Sequence, residues 1–140
     1  IDRIDVAPFT ARGIVQDYKS GKSVHSARAI DAELRLQIPL YMLVLRDLVG
    51  IEPLGGVYRA LAGRRAARGM LRAESEEDVP GFSKRDYLPE DEFWTQIETA
   101  RTRAATYARR IQAGDVRHDP KGDECPAWCD LWPMCRVPRA

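Results

Sequence analysis

The stretch GIVQDYKSGK, residues 13–22, decides the fold. Apolar Ile14 and Val15 lead into Gln16, Asp17, Tyr18 and Lys19, and Ser20 and Gly21 then stop the run. Alternate residues of a strand point to the same side, so a strand here brings the Asp17 carboxylate and the Lys19 ammonium out together. Such a pair marks either a solvated edge or a site. Upstream, IDRIDV (1–6) is a second strand-like run, and APFTA (7–11), with its proline and small polar residues, suits a short connection. The two runs predict a β-hairpin.

A connection centred near Thr10 opposes residues whose numbers sum to about twenty, and opposed residues share a face. An odd sum sets Asp2 with Asp17 and Lys19; an even sum sets Asp5 there instead. Two carboxylates and a lysine have the chemistry to hold Mg²⁺ and a water, with the lysine stabilising charge on a phosphate. Taken alone, the hairpin fits a solvated edge more readily than a site.

Outward from the hairpin, GKSVHSARAID (21–31) is polar, and AELRLQIPLYMLVLRDLVG (32–50) is apolar enough for a largely buried helix ending at Gly50. Pro39 makes that helix start nearby or kink. LGGVYRALA (54–62) reads as a third strand, GRRAARG (63–69) as a basic loop, and MLRAES (70–75) as a fourth strand. SEEDVPGFSKRDYLPEDE (75–92) reads as a solvated connection. Beyond Pro89, Phe93, Ile97, Ala100, Ala104, Ala108 and Ile111 recur at helical spacing up to Gly114. The rest, from Asp115, reads as an irregular tail.

The 140 residues suit one domain, and 22 basic against 21 acidic residues leave net charge silent about partners. Local clusters remain: Arg64, Arg65, Arg68 and Arg72, and Arg101, Arg103, Arg109 and Arg110. No apolar run approaches the roughly 18 residues of a membrane span, which sets a cytoplasmic protein without membrane partners as the expectation. The abrupt opening at Ile1 reads as a piece cut from a longer polypeptide. Cys125, Cys129 and Cys135 are the only cysteines. An odd, clustered set suits thiolate ligation better than a disulfide framework.

IDRIDV, IVQDYKSGK and LQIPLY (36–41) occur in this order, and together they resemble the RecB-like branch of the PD-(D/E)xK nucleases. That branch includes the nuclease domains of recombination helicase-nucleases and CRISPR-associated exonucleases. The resemblance implies an α/β domain with a small mixed β-sheet flanked by helices, a restriction-endonuclease-like core, here truncated at its N-terminus. It implies Asp2, Asp17 and the Tyr18 carbonyl as ligands of Mg²⁺ or Mn²⁺, Lys19 as the catalytic lysine, and Gln37 and Tyr41 as a pair one helical turn apart that reaches the site or DNA. It favours Asp2 over Asp5.

The implied activity is a metal-dependent DNA exonuclease of recombination or repair, with a helicase domain or subunit as its expected partner. The alternatives are a non-catalytic DNA-binding or scaffolding module and a small zinc-binding interaction module. Residues 1–123 would form the core and 124–140 a cysteine-rich tail. CPAWCDLWPMCR (125–136) is similar to the tail of branch members that carry a [4Fe-4S] cluster, with the fourth cysteine upstream of the first strand. Zinc, with His118 as fourth ligand, is the competing assignment. The branch's metal-binding histidine also lies before the hairpin; His25 and His118 read as surface residues. Trp128 and Trp132 read as shields for the cysteine site.

Overall fold

The computed structural model describes residues 1–118, Cys129 and Met134. The expected boundary at residues 123 and 124, Cys125, Cys135, Trp128 and Trp132 lie outside these. The chain divides into two units, Ile1–Thr106 and Tyr107–Ala140.

In the first unit, β1 (Arg3–Val6), β2 (Arg12–Lys19), β3 (Glu52–Ala60), β4 (Ala67–Arg72) and β5 (Tyr87–Leu88) form one sheet in that order. β1 pairs antiparallel with β2, β2 parallel with β3, β3 antiparallel with β4, and β4 parallel with β5. This is the mixed sheet of the expected α/β core. The hairpin takes the odd register, with Arg3 opposite Gln16 and Asp5 opposite Ile14.

Helices α1 (Ala27–Ala32) and α2 (Gln37–Val44) connect β2 to β3, as a parallel pair requires. The expected single helix over 32–50 is narrower: α2 begins at Gln37 and continues through a π-helical turn, Leu45–Val49, to Gly50 at φ 75°. Pro39 therefore lies in the first turn, where a missing N–H costs nothing because no carbonyl is available to it. Sequence periodicity does not reveal α1, whose six residues are too few to show a helical repeat, although Ala27 and Ile30 are buried. Ser26 caps it by accepting from the Ala29 N–H at 3.3 Å. The helix α3 (Glu90–Gln112) starts behind Pro89, with Glu90, Asp91 and Glu92 in its first turn, where acids favour the positive helix end.

One face of the sheet is covered by helices. Val15, Tyr58 and Met70 from the strands pack with Ile30, Ile38, Met42, Phe93 and Ile97. Each large side chain so buried contributes about 1.5–3 kcal/mol. The apolar stripe of α3 is used in its first half only: Phe93, Ile97 and Ala100 are buried, whereas Ile111 is exposed.

The other face carries a smaller core of Val57, Leu71 and Tyr87 with Val79 and Phe82. This corrects the reading of 75–92 as a solvated connection. The segment supplies β5, and it buries Ser75 and Asp86 completely. Arg68 neutralises Asp86 through two hydrogen bonds of 2.5 and 3.0 Å, which makes a buried carboxylate tolerable. The fourth strand also begins earlier than expected, at Ala67, and takes in the end of the presumed basic loop.

In the second unit, Asp115 accepts from Arg117 and Arg110, which hold its carboxyl well below the usual carboxylate range. Among the described residues no helix is long and apolar enough to cross a membrane.

Candidate active site

Register decides which side chains meet. Val15 opposes Gly56, Asp17 opposes Tyr58 and Lys19 opposes Ala60, so Asp17 and Lys19 stand on the helix-covered face beside Tyr58. Asp17 is 4% exposed. A buried carboxylate needs partners, and the first turn of α2 supplies one. The Gln37 amide nitrogen donates to Asp17 Oδ1 at 2.7 Å and to the Tyr41 hydroxyl at 3.0 Å, while its oxygen accepts from Lys19 Nζ at 2.7 Å. The four residues singled out from the strand and helix motifs thus form one connected network.

Asp17 Oδ2 is different. Lys19 Nζ lies 2.7 Å from it, yet off the direction of a hydrogen bond, and this solvent-shielded oxygen has no aligned donor. Distance and alignment disagree here; both hold, because a charge attracts at any angle whereas a hydrogen bond does not. The result is a buried oxygen facing positive charge with a lone pair to spare.

Asp2 lies just beyond the last paired residues of the hairpin. Its N–H donates to the Gln16 carbonyl at 3.3 Å, and its Oδ2 accepts from the Tyr18 N–H at 2.7 Å. Continuing the register sets it opposite Asp17. N–H and C=O of one strand residue leave by the same edge, so the Tyr18 carbonyl faces the side on which Asp2 sits. Asp5 belongs to the other face. There it accepts from the Gln16 side chain and, at 2.6 Å, from Arg3, while Arg59 donates to Gln16 at 2.8 Å.

Two further residues, Tyr58 and His25, complete the surroundings. Tyr58 is 2% exposed, and the Lys19 ammonium lies 4.9 Å from its ring centre. Burial, and secondarily the Asp17 charge, push its hydroxyl up to about 12, so it stays protonated. His25, expected at the surface, is half-buried and meets Tyr58 edge-on at 5.5 Å. Burial first, then Arg35, lowers its pKa, with Glu33 opposing. The parallel pairing of β2 and β3 set Tyr58 beside Asp17, and no local pattern announces a non-local register. His118 is exposed, as expected.

Hard oxygen donors of this kind suit Mg²⁺ or Mn²⁺. Among the described residues no group of three or more His, Cys, Asp or Glu gathers in metal-holding geometry. A cation at Asp17 Oδ2 would therefore rely on two carboxylates, a main-chain carbonyl and water, a mixture that fits Mg²⁺, which retains waters readily. Of the cysteines, Cys129 alone is described, half-buried with a free thiol.

The PD-(D/E)XK nuclease superfamily matches residues 1–136. The chain belongs to this superfamily. No curated protein and no solved structure matches it. The mixed five-stranded sheet with its helices is the α/β fold of that superfamily. Its members hydrolyse phosphodiester bonds of nucleic acids and generally use divalent metal ions.

Proposed function

We propose that the chain is a Mg²⁺- or Mn²⁺-dependent deoxyribonuclease domain, with Asp2, Asp17 and the Tyr18 carbonyl as metal ligands and Lys19 as the charge-stabilising lysine. One observation carries this reading: Asp17 and Lys19 are locked to each other and to Gln37, while Asp17 Oδ2 keeps a buried lone pair without a donor. A purely structural ion pair has no need of such an oxygen.

The residues divide the work. Gln37 fixes the ammonium with its oxygen and the carboxylate with its nitrogen, so both groups are oriented before substrate arrives. Lys19 has three N–H donors and spends one on Gln37, which leaves donors for a phosphate oxygen as negative charge develops on it. Tyr58 underlies the ammonium as an apolar wall with a negative ring face. A divalent cation, when bound, supplies activation of water and neutralisation of phosphate charge.

The motif order supports the RecB-like branch, and with it an exonuclease of recombination or repair partnered by a helicase. Degradation of linear but not circular DNA supports the exonuclease assignment; equal cutting of both refutes it. The pattern of Cys125, Cys129 and Cys135 supports a [4Fe-4S] cluster in the full protein, and zinc without iron or sulfide on elemental analysis refutes that.

For the site itself, Asp17→Asn and Lys19→Ala should each lower Mg²⁺-dependent cutting by about 10²–10³-fold. DNA binding should change far less, because phosphate contacts elsewhere persist. Full activity in the Asp17 variant defeats the assignment.

A further inference from the structure

The region from Pro53 to Ala73 contains no acidic residue and five arginines. Three of these are engaged: Arg59 with Gln16, Arg68 with Asp86, and Arg72 with Glu90. Arg64 and Arg65, in the connection between β3 and β4, have no hydrogen-bond or ion-pair partner among the described residues, and neither has Lys22. Elsewhere most arginines are paired; Arg12, Arg46 and Arg103 each lie within ion-pair distance of a carboxylate. Arg28 and Arg85 are also unpaired, but the cavity of about 720 Å³ that they line is shared with Asp31 and Glu92, which offset them.

The three free cations are neighbours. A methyl at Gly63 would stand 3.2 Å from Lys22 Cγ, so the Lys22 stem lies over the β3–β4 turn. Arg65 holds φ at 49°, uncommon for a residue with a side chain and characteristic of turns and functional segments. The turn is joined to the candidate site directly, since the Leu61 N–H donates to the Lys19 carbonyl at 2.9 Å. Two residues, Ser20 and Gly21, separate Lys22 from Lys19, so their backbones stand at most about 11 Å apart. Leu61 is 58% exposed and adds an apolar surface beside the charges.

Like charges held together without acids repel one another and sustain a positive potential that a polyanion relieves. We propose that Lys22, Arg64 and Arg65 form a phosphate grip for the DNA strand, holding backbone phosphates next to the one presented to Asp17 and Lys19. This rests on the nuclease reading above. The grip sets the strand's register on the site, and the Leu61 hydrogen bond transmits its position to the end of β2 that carries Lys19.

The test is the salt dependence of binding, followed by fluorescence anisotropy of a labelled single-stranded oligonucleotide in chelator, where no bond is cut. Each phosphate contact on single-stranded DNA contributes about 0.7 to the slope of log K against log salt, so Lys22→Ala/Arg64→Ala/Arg65→Ala should lower it by about 2. Removing two cations elsewhere, by Lys84→Ala/Arg101→Ala, should leave the slope within about 0.5 of the parent. These two are already paired, with Glu76 and Glu98. A parent slope in the triple variant, or an equal loss in the Lys84/Arg101 variant, overturns the grip and leaves the nuclease reading intact. Unvaried protein that neither binds nor cuts the strand overturns both.

Discussion

The Lys19 ammonium stands over the face of the Tyr58 ring, 4.9 Å from its centre, on the neighbouring strand. A cation over a partly desolvated ring gains about 0.5–2 kcal/mol, enough to bias a flexible lysine toward one position. Tyr58→Phe keeps the ring and should retain most cleavage, whereas Tyr58→Leu should lower kcat about tenfold with little change in KM. Equal activity in both variants, measured by single-turnover cleavage, shows that the ring does not position Lys19.

Gly56 sets how closely α2 approaches the sheet. A methyl there would stand 2.5 Å from Ile38 Cγ2 and 2.9 Å from Val15 Cγ2. Ile38 adjoins Gln37, so the strain reaches the residue that holds both Asp17 and Lys19. Gly56→Ala should cost about 1–3 kcal/mol in urea unfolding and reduce kcat beyond what the folded fraction explains. An alanine variant of undiminished stability means that the side chains above Gly56 give way freely.

Asp86 is fully buried and Arg68 is its guanidinium partner. Arg68→Ala leaves that carboxylate without compensation and should destabilise the fold by about 3–5 kcal/mol. Replacing both residues, by Arg68→Met and Asp86→Leu, should recover most of that loss, because the desolvated charge disappears too. Chemical denaturation of the single and double variants decides it, and a single variant close to the parent contradicts the argument.

His25 predicts a pH dependence. Its pKa is lowered from the ordinary 6.5 by burial, so the unfolded chain binds a proton more readily than the folded one. The stability it contributes is present above pH 6.5 and is lost as pH falls through the lower folded value. The melting temperature should therefore decline on acidification below 6.5, and less steeply in His25→Asn. Identical slopes for the two proteins locate the titrating group elsewhere.

Local and non-local information explain what the sequence disclosed. The strand carrying Asp17 and Lys19, the Gln37–Tyr41 spacing and the start of α3 at Pro89 follow from patterns within a few residues, and all three appear where expected. The hairpin arithmetic leaves two registers of β1 on β2 and the resemblance favours the odd one; the structure takes it, with Arg3 opposite Gln16 and Asp5 opposite Ile14. What escaped was written across the chain. The burial of Asp86 depends on Arg68, 18 residues away. Tyr58 joins the site through a parallel pairing that a crossover of two helices produces. The 75–92 segment looked solvated because its apolar residues, Val79, Phe82 and Tyr87, are too few to show a period; they suffice to cover the second sheet face.

The two carboxylates of the candidate site stand on unequal ground. Asp17 is rooted in a strand paired on both sides, whereas Asp2 extends a four-residue outer strand whose Ile4 and Val6 are exposed. Strands at the rim of a sheet detach at far lower free energy than the interior does. With Asp2 as a metal ligand, as proposed, the population of assembled sites follows how tightly a short ribbon adheres to its neighbour, and warming should silence cutting well before the sheet itself comes apart.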